Sequence, residues 1–125
     1  MKTVFRIVVA LPAALFVVIG LRWLVDPSAS AAALGMPLLE AVGRSTQIGD
    51  MAAFFLSLGT FMFVALITRK RSWFYPPAVL LGLTAVCRIL AWLIHDAALA
   101  IPFIALEAIV ACLLLVAARS LALED

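Results

Sequence analysis

Four long apolar stretches, separated by short polar segments, make up most of the chain. A helix needs about 20 mostly apolar residues to cross about 30 Å of hydrocarbon. The apolar residues follow one another without the alternation of a membrane β-barrel, which predicts helical spans. These helices are predicted at about residues 4–25, 46–67, 75–95 and 101–118. We therefore predict an all-α, integral membrane four-helix bundle that forms a single domain over residues 1–125.

Proline and glycine residues mark the ends of the stretches. Pro27 ends the first helix, and Pro76 and Pro102 stand in the predicted first turns of the third and fourth, where proline is tolerated. The only long connection is residues 26–45, which contains the sequence PSASAAALG. This sequence predicts a short interfacial or re-entrant helical segment, closed by Gly35, between helices 1 and 2.

The composition excludes several classes of protein. Hydrophobic residues make up 67% of the chain and charged residues 13%, against about 45–50% and about 25% in soluble domains. A soluble domain of this size needs more polar surface than that, because small domains have a high ratio of surface to volume. An ordinary cytosolic enzyme, a disordered segment and a nucleic-acid-binding protein are therefore excluded.

The basic residues predict the orientation, because they concentrate on the cytoplasmic side of membrane proteins. In a four-pass arrangement one side carries Lys2, Arg6, Arg69, Lys70, Arg71 and Arg119, and the other carries Arg22 and Arg44. Both termini are therefore predicted to be cytoplasmic. Trp23, Trp73 and Tyr75 fall at predicted membrane interfaces, where amphipathic rings are common.

The first stretch has an alternative interpretation as a cleaved signal peptide. Lys2 supplies a basic start, and residues 29–31 are a weak small-residue cleavage pattern. However, the apolar run is too long, and Arg22 and Trp23 lie between it and that pattern. A membrane span is the preferred interpretation.

Three charged residues within the spans fall at similar predicted depths. Arg88 lies seven residues before His95, which is about 10 Å inside the outer end of helix 3. Glu107 and Asp50 lie about 8 Å and about 6 Å from the same side in helices 4 and 2. Because charges in a bilayer cost about 2.5–3.5 kcal/mol each, they usually face one another or a wet cavity. We therefore predict an outward-facing cluster in which Arg88 bridges Glu107 and Asp50.

Neighbouring polar residues extend this candidate ligand-binding site. Trp92 and His95 follow Arg88 at i+4 and i+7, on one face of helix 3, and Gln47 shares a face of helix 2 with Asp50. The alternative is that the charge pair only fixes the register of the helices. For His95, a simple interfacial position is the preferred interpretation.

Other chemistry is sparse. No nucleotide-binding or hydrolase motif occurs, and Cys87, Cys112 and a single histidine do not form a metal-ligand pattern, so we predict no catalytic residue, metal or cofactor. Gly49, Ala53 and Ser57 form a small-residue ladder on helix 2. Such ladders allow close helix packing, within the chain or, as the alternative, in a homo-oligomer.

The sequences GRSTQIGDMAAFF, CRILAWLIHDA and LEAIVACLLLVAAR resemble those of a family of small bacterial four-helix integral membrane proteins of unknown function. The resemblance implies that Arg44, Asp50, Arg88 and Glu107 are the matching positions, and Arg44 joins the candidate site on that basis. It also implies a fold and a membrane location, but no activity. A looser likeness to sterol-binding four-helix membrane domains does not extend to the spacing of their acidic and aromatic residues.

Three functions are consistent with these features. The preferred one is a non-catalytic module of the bacterial inner (plasma) membrane that binds lipid or a small hydrophobic ligand, or an accessory subunit with a partner membrane protein. The alternatives are a proton-coupled small-molecule transporter and a membrane-embedded, isomerase-like enzyme. A transporter needs a polar path, and the predicted inner half offers chiefly Thr60 and Thr84.

Overall fold

The computed structural model describes residues 1–123 and leaves Glu124 and Asp125 outside the description. The helices are α1 (Lys2–Val25), α2 (Pro27–Ala33), α3 (Ala41–Thr68), α4 (Tyr75–His95) and α5 (Ile101–Ser120), with a 3-10 turn at Arg71–Trp73. Residues 1–123 contain no β-strand. The predicted all-α class with four long apolar helices is confirmed.

Four helices are long and apolar enough to cross a membrane. They are Lys2–Val25, Ala41–Thr68, Arg71–His95 (α4 with the preceding turn) and Ile101–Ser120. Only 22–33% of each most apolar window is buried, so large apolar side chains such as Leu11, Leu93 and Ile109 are more than 60% exposed. Exposed apolar surface on this scale is unfavourable in water, and it indicates a multi-pass membrane protein.

The start of α3 differs from its predicted position. Helix α3 begins at Ala41, before the predicted start at about residue 46, and Gly43, Arg44 and Ser45 separate its first two residues from the long apolar run. A hydropathy pattern marks where apolar residues begin and not where the helix begins. Its 28 residues span about 42 Å, which exceeds the hydrocarbon thickness of about 30 Å.

The predicted short helix between the first two spans is present as α2. Pro27 occupies its first turn, and the Asp26 side chain accepts a hydrogen bond from the Ala29 amide at 3.3 Å, as an N-cap residue does. The Ser30 hydroxyl donates to the Asp26 carbonyl oxygen at 3.0 Å. The helical nature of this segment is confirmed, and its interfacial position stays a prediction.

The described residues fall into two compact units. The α2 unit is Leu11–Thr60, and the α4–α5 unit contains Met1–Ala10 and the described residues from Phe61 onwards. That all 125 residues act as a single domain stays a prediction.

In the α4–α5 unit, two helices joined by residues 96–100 pack side by side. Their buried residues recur at the three- and four-residue spacing of one helix face, which is the face that packs on a neighbour. On α4 these residues are Pro77, Ala78, Leu81 and Ala85, and on α5 they are Glu107, Val110, Ala111, Leu114, Ala117 and Ala118. Many are alanine, which allows the close helix contact typical of membrane proteins.

The α2 unit has a core around Trp23, which packs with Ala31 and Ala52. The Trp23 side chain is fully buried and its indole N–H has no hydrogen-bond partner among residues 1–123, and its predicted position at a membrane interface stays a prediction. Gly20 lies three residues, or about one turn, before Trp23, and glycines on both helices let α3 approach α1 closely. Gly20 faces Leu56, and Gly59 faces the main chain of Ala13 and Val17.

The predicted packing role of the small-residue ladder is not seen at Gly49, where a Cβ atom would have no neighbour within 4 Å. Ala53 is also exposed. The close contact uses Gly20 and Gly59 instead, because those positions face the neighbouring helix.

Candidate functional site

The candidate site lies in the α4–α5 unit, near the loop that joins the two helices. Asp96 ends α4 in the left-handed conformation, with φ of 57°, and its amide donates to the carbonyl oxygen of Ala91. Ile101 and Pro102 then start α5. A connection this short makes α4 and α5 antiparallel, so Arg88 and Glu107 come to similar distances from the loop.

Arg88 and Glu107 form an ion pair between the helices. Nε of Arg88 lies 3.0 Å from Oε1 and 3.0 Å from Oε2 of Glu107. The Glu107 side chain is 10% exposed and that of Arg88 is 33% exposed. The predicted pairing of these two residues is confirmed.

The aromatic ring of Phe103 also contacts the guanidinium of Arg88. Cζ of Arg88 lies 4.9 Å from the centroid of the Phe103 ring, in a cation–π contact. Phe103 and Glu107 are four residues apart on α5, so they share a face and hold Arg88 together. The sequence analysis missed Phe103, although an aromatic residue one turn before the only acidic residue of this span was a usable signal.

Within residues 1–123, only the Nε atom of the Arg88 guanidinium donates hydrogen bonds. Arginine carries five N–H donors, and the bonds to Glu107 come from Nε alone. Among residues 1–123, no side chain or carbonyl oxygen accepts a hydrogen bond from the two terminal nitrogens of Arg88. The site therefore presents unsatisfied donors on a partly exposed cation whose charge is balanced by Glu107.

Two predicted residues on α4 lie on the same helix face as Arg88 by their spacing. Trp92 is 45% exposed, and His95, the last residue of α4, is also exposed. Neither has a hydrogen bond or ring contact within residues 1–123. Their role in ligand binding stays a prediction.

The remaining predicted residues belong to the α2 unit. Asp50 is exposed there, and its place in a cluster with Arg88 stays a prediction. Arg44 is exposed and donates from Nε to the Leu39 carbonyl oxygen at 2.8 Å. This bond gives Arg44 a structural role at the start of α3.

Gln47 also has a structural role. Its Oε1 accepts from the Leu39 amide at 2.7 Å, and its Nε2 donates to the Pro37 carbonyl oxygen at 3.0 Å. Nε2 also lies 3.7 Å from Sδ of Met36. The side chain therefore holds the extended segment before α3, and its predicted part in ligand binding stays a prediction.

Within residues 1–123, no three His, Cys, Asp or Glu side chains lie close enough together to hold a metal ion. Comparison of the chain with protein-family models, curated proteins and solved structures found no match. The resemblance to small bacterial membrane proteins is therefore an expectation. The plain finding is a small helical protein with four apolar helices of membrane-spanning length.

Proposed function

We propose that the protein is a non-catalytic module of the bacterial inner membrane that binds a small or lipid-like ligand at Arg88. The observation that carries this proposal is the guanidinium that Glu107 and Phe103 hold on one side while its terminal nitrogens keep their donors. An accessory subunit with a partner membrane protein, or a homo-oligomer, would use the same donors on a carbonyl group of its partner.

The energetics favour a ligand with a hydrogen-bond acceptor. An unsatisfied polar group away from water costs about 1–3 kcal/mol in proteins, so the terminal nitrogens of Arg88 gain by meeting an acceptor. Glu107 already balances the positive charge, and the exposed apolar side chains of α4, such as Leu93, surround the site. A molecule with a carboxylate, phosphate or carbonyl group on an apolar body has matching chemistry.

The proposed orientation follows from the basic residues. With the 69–71 turn in the cytoplasm, the 96–100 loop faces outwards, and Arg88 lies about 10 Å inside the outer boundary. At that depth a ligand can enter from the outer leaflet. In this proposed orientation the first turns of α3 lie on the outer side, which is consistent with the depth of about 6 Å expected for Asp50.

The decisive experiment compares two arginine-to-lysine variants. Arg88→Lys keeps a cation opposite Glu107 but loses the planar fork of donors. Arg22→Lys, an exposed change in the α2 unit, is the matched control. Each protein is purified in a mild detergent, its melting temperature is measured, and its co-purified molecules are identified by mass spectrometry.

We expect Arg88→Lys to fold and to lose about tenfold or more of one co-purified species, since hydrogen bonds to charged groups contribute about 1.5–3 kcal/mol. Arg22→Lys should retain that species. If wild type, Arg88→Lys and the double variant Arg88→Leu/Glu107→Leu all carry the same molecules, the pair only joins two helices and the proposal is wrong.

A further inference from the structure

The other end of the α4–α5 unit carries a separate surface groove. It has a volume of about 320 Å³ and is lined by Tyr75, Leu115, Val116 and Arg119. Tyr75 is the first residue of α4, and the other three lie in the last turns of α5. Arg119 is twelve residues beyond Glu107, so the groove lies about 18 Å along the helix from the Arg88 site.

The lining residues combine an apolar part with a polar end. Leu115 and Val116 are 48% and 52% exposed, and Tyr75 is 44% exposed. Arg119 follows Leu115 at i+4 and Val116 at i+3, so the cation and the two apolar side chains share one face of α5. Tyrosine and arginine at a helix end are typical of the level of lipid headgroups.

The positive charge of Arg119 is available because other arginines satisfy the end of α5. Nε of Arg69 donates to the Leu121 carbonyl oxygen at 3.3 Å, and Nε of Arg71 donates to the Ala118 carbonyl oxygen at 3.1 Å. These bonds use carbonyl groups that are left without partners at a helix C-terminus. Arg119 is exposed and has no ion pair or hydrogen bond from its side chain within residues 1–123.

The surroundings add to this charge. Arg69, Lys70 and Arg71 lie in the connection between α3 and α4. Clusters of basic residues next to a membrane span attract anionic lipids. The apolar side chains of the groove match the acyl chain of a phospholipid, and the cation at its end matches the phosphate group.

We infer that this groove binds one anionic phospholipid, with its phosphate on Arg119 and Tyr75 and an acyl chain over Leu115 and Val116. The site is separate from the one at Arg88, and its occupant is a lipid of the leaflet that faces the basic turn. Binding fixes the ends of α4 and α5 to that leaflet.

The test measures the preference for phosphatidylglycerol over phosphatidylcholine, by native mass spectrometry of the full chain in mild detergent. Arg119→Gln removes the cation that lines the groove. Lys70→Gln removes the same charge from an exposed residue that does not line it. Tyr75→Phe removes only the hydroxyl group, and melting temperatures in phosphatidylcholine confirm that the variants fold.

We expect Arg119→Gln to weaken the preference about tenfold or more, as the loss of a charge-assisted hydrogen bond does. Lys70→Gln should weaken it about fivefold or less, as the loss of one surface charge does. The fold-loss caused by Arg119→Gln should be the same in the wild-type chain and in an Arg88→Lys background, which separates this site from the proposed function.

Three outcomes would overturn the inference. Equal losses in Arg119→Gln and Lys70→Gln would mean that the whole basic surface attracts lipid without a site. No loss in Arg119→Gln would remove the groove from lipid binding. Displacement of the lipid by soluble glycerol phosphate, as effectively as by phosphatidylglycerol, would mean that the groove binds free phosphate and not a lipid.

Discussion

The contact between α4 and α5 contains a charge pair, whereas the contact between α1 and α3 in the α2 unit contains two glycines. Arg88 and Glu107 join the first pair of helices through hydrogen bonds. Gly20 and Gly59 allow the second pair to approach so closely that an added Cβ atom would meet side chain or main chain. Both contacts join helices that are similarly apolar over their candidate membrane spans.

The difference reflects how helices associate in lipid. Lipid tails are as apolar as leucine, so apolar side chains alone give little reason for one helix to prefer another. Close van der Waals packing through small residues and hydrogen bonding between polar side chains are the two remaining contributions. The glycine contact has no polar side chain that could bind a ligand, whereas the charge pair leaves the terminal nitrogens of Arg88 free to donate hydrogen bonds. Only the contact between α4 and α5 is therefore both structural and a candidate binding site.

The largest expected effect comes from breaking the charge pair on one side. Glu107→Leu leaves Arg88 without its partner, and we expect a loss of about 3 kcal/mol in the free energy of unfolding, because an uncompensated charge remains. The double variant Arg88→Leu/Glu107→Leu should recover most of this loss. Unfolding in mixed micelles measures both variants, and equal stabilities of the single and double variants would contradict a paired role.

A smaller effect is expected at the glycine contact. In Gly59→Ala the new Cβ atom would lie 2.8 Å from the Ala13 carbonyl oxygen, and overpacking of this kind costs about 1–3 kcal/mol. The matched control is Gly82→Ala, where a Cβ atom has no neighbour within 4 Å. That control should be neutral or more stable by about 0.5–1 kcal/mol. Equal melting temperatures for the two variants would show that Gly59 is not a close contact.

The smallest effect tests a polar side chain that acts locally. Gln47→Ala removes hydrogen bonds to Leu39 and Pro37, which should cost about 1 kcal/mol and speed amide exchange at residues 36–39. Thr46→Ala is the control, because the Thr46 hydroxyl donates only to Val42 of its own helix. Faster exchange in the α4–α5 helices of Gln47→Ala would contradict a purely local role.

Much of the fold was predictable because the bilayer leaves few choices. An apolar run of about 20 residues must satisfy its backbone hydrogen bonds internally, so it is a helix wherever it is placed. The predicted span at about residues 75–95 agrees with Tyr75–His95. The start of α3 was missed because Gly43, Arg44 and Ser45 interrupt the apolar run, and a helical turn without apolar residues leaves no hydropathy signal.

The pairing of Arg88 with Glu107 was predictable from depth alone, since unpaired charges in lipid are unfavourable and the spans offered few partners. The orientation of each side chain was not. Phe103 below the guanidinium, Gln47 turned towards residues 36–39 and Trp23 inside a core depend on which helix faces meet.

The sequence by itself determined how many spans there are, where they lie along the chain and which charges had to find partners, because these follow from the free energy of moving each residue into hydrocarbon. The tertiary structure decided which glycines are in contact, which edge of Arg88 is used and which arginines cap α5. Those choices depend on the rotation and separation of neighbouring helices, and every rotation of an all-apolar helix leaves its hydropathy the same.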